Sequence, residues 1–224
     1  MPDRDEIIAA ARELLVGSSP LGREDTFLLD HALRTLRHID VILEFDEARP
    51  LRVDRTCLDA AAMFHDAARV RLDRERRESP VYAAATMSTD EIRGYSAELA
   101  GDALGGLLTD KQIDHTQHII REYQNRTTAL PEASILSDAC NLDDVGVVGL
   151  WREVRRFAME GRSIEDVLAS WQRKLDYGYY AARLADTFRF DASRRWAEAR
   201  LRRLERVMTE MIVENRAADP REPQ

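Results

Sequence analysis

The stretch "AAAMFHDAAR", Ala60 to Arg69, decides the reading of this chain. It is apolar and rich in alanine, yet it carries a histidine and an aspartate side by side at His65 and Asp66. Burying a carboxylate is costly unless something pairs with it. If the stretch is a helix packed among others, the doublet needs a partner, and a metal ion is one chemistry that supplies it. Small alanines around it would let neighbouring helices approach closely. The competing explanation is a helix end, where His65 would suit the negative pole of the helix dipole but Asp66 would not.

Working outward, apolar residues recur at three- and four-residue spacing throughout, without sustained alternation, so the chain reads as all-α. The pattern predicts helices over about 6–16, 25–46, 54–69, 90–108 and 110–125, and then from Pro131 to about 144, 147–159, 163–188 and 191–215. Thr89 is the expected N-cap of the fourth helix. Pro131 suits a first turn, and "SIED" at 163–166 resembles a capping box. Asp191 is expected to cap the last helix. The charged stretch "RVRLDRERRESP", 69–80, reads as a surface loop or lid, and "AADPREPQ", 217–224, as a disordered tail. One domain is expected over 1–216, with a core at about 25–160 and C-terminal helices over 163–216.

Composition narrows the function classes. The 224 residues are 44% hydrophobic and 33% charged, as expected of a globular protein with a core. The 33 basic and 41 acidic residues give a net charge of −8, which disfavours broad nucleic-acid binding. No apolar run suggests a membrane span or a secretory leader. Cys57 and Cys140 are the only cysteines, too few for a disulfide framework. A cytoplasmic protein is expected. Arginine far outnumbers lysine, which occurs only at Lys111 and Lys174, a bias that suggests a bacterial source.

Among the five histidines, the question is which converge. His31, Arg34 and His38 in "LLDHALRTLRHID" share a helix face beside the Leu29, Leu33 and Leu36 stripe. That face is either partly exposed or turned into a polar cleft. Asp138, in "ASILSDACNLDDVGVVGLW", follows Ile135 and Leu136 and also calls for a partner. Its alternative duty, capping the next helix, is better suited to Asp143 and Asp144. Together His31, His65, Asp66 and Asp138 make a mixed nitrogen–oxygen donor set, suited to Mn, Fe, Zn, Ni or Co more than to calcium.

In this order and context the residues resemble the HD-domain superfamily of metal-dependent phosphohydrolases, whose pattern is H…HD…D on an all-α scaffold. The pattern falls on His31, His65, Asp66 and Asp138. "ILSDACNLDDVGVVGLWR" is similar to the family's DADRLDxLG segment, with Asp143 at its second aspartate. The ending "DTFRFDASRRWAEARLRRLERVM" resembles the last helix of small bacterial members, so the similarity runs from about 25 to 210. The departures are Ala67-Ala68-Arg69 after the doublet, Cys140 and Asn141 in place of Asp-Arg, and Tyr95 and Ser96 where many relatives carry a further histidine. That histidine helps build a second metal site, so its loss favours a single divalent ion, with Mg also within the range.

The resemblance implies a phosphomonoesterase or phosphodiesterase acting on a nucleotide or other small phosphate ester. Asp66 would be both ligand and catalytic group. Arg34, Arg69, His115, His118 and Arg121 are the candidate phosphate partners; arginine suits the role through its bidentate fork. His115 and His118, a turn apart, could instead help hold a second ion or lie on a plain amphipathic surface. Two other classes stay open: a diiron oxygenase on the same scaffold, and a binding or regulatory protein without turnover. The Arg-rich C-terminal helix could pair with a second copy.

Overall fold

The computed structural model of the chain describes residues 3–18, 22–70 and 87–218. Among them are ten helices and one two-stranded antiparallel ribbon, so the chain is all-α as its periodicity predicts. The ribbon, β1 (Gly17–Ser18) and β2 (Glu24–Asp25), pairs Gly17 with Asp25 and is too short to leave a sequence signal. Most of the charged stretch 69–80 and the end of the tail, 219–224, lie outside the described residues. The rest forms two compact units, 1–139 and 140–224.

The first unit holds α1 (Arg4–Leu15), α2 (Phe27–Ile42), α3 (Arg55–Phe64), α4 (Thr89–Leu104), α5 (Asp110–Glu122) and most of α6 (Pro131–Asp144). Helix α3 is its centre and packs on α1, α2, α4 and α5. Every α3 residue from Cys57 to Phe64 is buried, so this helix has no solvent face. Ala60, Ala61 and Ala62 leave no room between it and its neighbours. One charged residue, Asp59, is buried with them. Arg4 of α1 and Arg55 of α3 both pair with it, at 3.2 and 2.8 Å, and both also pair with Asp40 of α2. Cys57, on the same helix, is fully buried.

Caps explain most boundaries. Asp3 and Glu6 form a capping box on α1, and Thr109 and Gln112 form one on α5. Helix α4 is capped by Ser88, not Thr89: Ser88 accepts from Glu91 N, and Glu91 reaches back to Ser88 N. A capping box needs its acidic or amide residue three positions on, and Ser88 with Glu91 satisfies that spacing.

The second unit holds the end of α6 with α7 (Val147–Met159), α8 (Ile164–Asp176), α9 (Tyr179–Asp186) and α10 (Asp191–Asn215). Phe157, Val167, Trp171, Leu204 and Met208 form its core, drawn from α7, α8 and α10. The helix expected over 163–188 is broken at Gly178, which sits in the left-handed region at φ 63°. Asp166 returns to Ser163 N at 3.0 Å, as the SIED motif predicts. Helix α10 is capped by Phe190, so Asp191 is its first helical residue rather than its cap. No helix among the described residues is long and apolar enough to cross a membrane.

Candidate metal centre

His31 and His65 meet. Their Nε2 atoms are 3.1 Å apart, and His31 Nε2 is 3.6 Å from Asp66 Oδ2. All three residues are buried, at 2%, 2% and 8% exposure. One ligand atom from each lies within 4.8 Å of the others, and among the described residues this is the one such group of three or more.

The regular helix ends where the doublet begins. Adjacent residues of a continuous helix diverge by about 100°. Helix α3, however, stops at Phe64, and His65 is its C-cap. Beyond it the backbone tightens: Ala67 N bonds to Phe64 O and Arg69 N to Asp66 O, both three residues back and both 3.0 Å. Ala68 N instead bonds to the Ser96 hydroxyl at 3.0 Å. The helix expected to run unbroken to 69 is thus interrupted at the doublet.

Hydrogen bonds prepare the rings. His65 Nδ1 lies 2.9 Å from the Ala62 carbonyl, which can only accept, so Nδ1 carries the proton and Nε2 keeps its lone pair. The edge of the Tyr123 ring packs against His65, with centroids 5.6 Å apart. Asp66 Oδ1 pairs with Arg69 Nε at 2.8 Å. Burial alone would raise the Asp66 carboxyl, but Arg69, with the two imidazoles, holds it well below the usual carboxylate range.

The donor set fits a divalent cation. Two nitrogens about 2.1 Å from one ion, at right-angled to tetrahedral spacing, lie about 3.0–3.4 Å apart. The observed 3.1 Å falls there, and the mixed imidazole–carboxylate chemistry suits first-row metals. His31, His65 and Asp66 could therefore hold one ion.

The other predicted residues are placed as follows. Asp138, on α6, is fully buried and is not part of the three-residue group. His38, on the His31 face, is buried rather than partly exposed, and its Nδ1 donates to the Ala139 carbonyl at 3.0 Å. Arg34 is half-buried one turn along α2 from His31. His115 is half-buried and lies 3.4 Å from the buried Glu132, while His118 and Arg121 are exposed on α5 and at its end. Asp143, in the second unit, is buried against Arg152 at 3.3 Å. Neither Asp143 nor Asp144 caps the next helix. Gly146 does so, at φ 110°, while Arg152 folds back onto both carboxylates. Sequence reasoning noted Ser96 only as a missing histidine; its bond to a backbone amide 28 residues away has no local signature.

The chain is an all-α scaffold carrying a buried His, His, Asp cluster, and solved structures give the fold. The chain matches no family model and no curated protein. YpgQ of Bacillus subtilis is similar over 95% of this chain and 94% of its own, at 20% identity and a TM-score of 0.59. An HD-superfamily hydrolase of Bacillus thuringiensis is similar over 96% and 97%, at 19% identity and a TM-score of 0.61. YpgQ in complex with ADP is similar over 95% and 97%, at 19% identity and 0.58. The chain has the HD-domain fold.

Proposed function

We propose that this protein is a metal-dependent phosphohydrolase acting on a nucleotide or other small phosphate ester. The observation that carries the reading is the convergence of His31, His65 and Asp66 in a buried spot on an HD-domain fold. A hydrolase among the structural neighbours supports the reaction class, and a neighbour's complex with ADP supports a phosphorylated ligand.

His31 Nε2, His65 Nε2 and Asp66 would hold one divalent ion, with Asp138 as the proposed fourth ligand. Such an ion, when bound, acidifies water and offsets charge on a phosphoryl oxygen. The chain's own groups do the rest. The Ala62 carbonyl keeps the His65 proton on Nδ1. Arg69 keeps Asp66 ionised and so able to ligate the ion; held that low, the carboxylate would be a weak base, and the water's acidity would come from the ion. Arg34, a turn from His31 along α2, and Arg69, paired with Asp66, are candidate phosphate partners. His115, His118 and Arg121 on α5 are further candidates for contact with the substrate.

The test is metal analysis of the purified chain, followed by a screen of nucleotides and phosphate esters with Mn²⁺, Fe²⁺, Co²⁺, Ni²⁺, Zn²⁺ or Mg²⁺ added. Asp66→Ala is expected to lose both the metal and the turnover. If that variant keeps metal-dependent hydrolysis, the reading is wrong. Two irons per chain with oxygen consumption would point to an oxygenase, and an inert, metal-free protein to a binding role.

A further inference from the structure

The α-helical bonding of α3 stops at the doublet. In a continuous helix the Ala68 amide would bond to the Phe64 carbonyl. Here the Phe64 carbonyl serves Ala67 N, and the Ala68 amide is taken by a hydroxyl from another helix. That hydroxyl belongs to Ser96, fully buried on α4, and the Ala68 backbone is itself at zero exposure. A buried amide without a partner is strongly disfavoured. Without the hydroxyl, the cheapest rescue for Ala68 N is the ordinary helical bond, which would undo the break.

We propose that Ser96 is a positioning residue: by accepting from Ala68 N it fixes the 65–68 turn, and with it the place of Asp66 beside the His31 and His65 ring nitrogens. The inference rests on the metal-site reading and adds to it a group outside the donor set. The hydrogen bond of Ser96 goes to a backbone amide, so its influence passes through the backbone.

The experiment uses the full chain with Co²⁺ as probe. Its affinity is measured by calorimetric titration and its ligand field by visible absorption, for wild type, Ser96→Ala and Ser96→Cys. Cysteine keeps the size but is a weak acceptor, which guards against a variant that fails to fold. Ser96→Ala is expected to weaken Co²⁺ binding by about 10–100-fold, the usual range for groups that orient a ligand, and to shift the absorption bands. Ser96→Cys should move both in the same direction by less. A lowered melting temperature with unchanged affinity and spectrum would overturn the proposal and leave Ser96 a packing residue. Wild type that binds no Co²⁺ would sink the metal reading itself, so the two failures are told apart by the wild-type titration.

Discussion

His65 gives its Nδ1 proton to a carbonyl of its own helix, three residues back. A single side chain thereby fixes which of its nitrogens is available, with no help from any other element. The doublet was legible in the sequence because an ionisable pair among alanines is chemically conspicuous. How both members reach one point was not, since helical periodicity sets them about 100° apart. The turn that carries them is tied to a hydroxyl on another helix, and a serine in "EIRGYSAELAGDAL" gives no hint of a distant amide. The alanines have their own consequence. Ala61 is fully buried on a helix enclosed on every side. Ala61→Leu is expected to destabilise by about 1–3 kcal/mol through overpacking. Urea denaturation reads this directly, and a variant as stable as wild type would mean that α3 has slack.

Elements were read well where caps or prolines mark them. Pro131 opens α6, and the Ser163 motif opens α8, where the sequence places them. The failure at Gly178 has a clear cause: "YGYYAARLAD" keeps helical spacing on both sides, and one glycine inside such a pattern does not decide a break. Its backbone at φ 63° does decide it. Gly178→Ala is expected to cost about 1–2 kcal/mol, the penalty of a Cβ in the left-handed region, and Gly178→Asn less. Thermal unfolding should rank them glycine, asparagine, alanine. Alanine equal to glycine would mean that the turn relaxes. The ion pairs between helices lay beyond sequence reading for a different reason. Glu153 on α7 accepts from Ser170 at 2.7 Å and from Lys174, both on α8, and nothing in either helix alone announces the pairing.

At the scale of the molecule, such pairs set the response to acid. Burial would raise the Glu153 carboxyl, but Lys174 and Ser170 outweigh it and hold it below the ordinary 4.5. A carboxyl lowered in the folded state adds stability that is fully present above the unfolded value. That contribution fades as pH falls through the folded value. Comparing melting temperatures of wild type and Glu153→Gln should therefore show a gap at pH 7 that narrows below about pH 4.5. A gap independent of pH would assign the effect to packing instead. Asp40, held low by Arg4 and Arg55 against its own burial, acts in the same sense in the first unit.

Cys57, enclosed in α3, has one more use. Burial, aided by the nearby Asp54 carboxylate, pushes its thiol up to about 12, so almost no thiolate exists at neutral pH. Alkylating reagents should therefore pass it by while the native state holds, and capture it once α3 opens. With only one other cysteine in the chain, mass spectrometry of the second alkyl adduct would clock the opening of the helix that carries the doublet, with no label introduced.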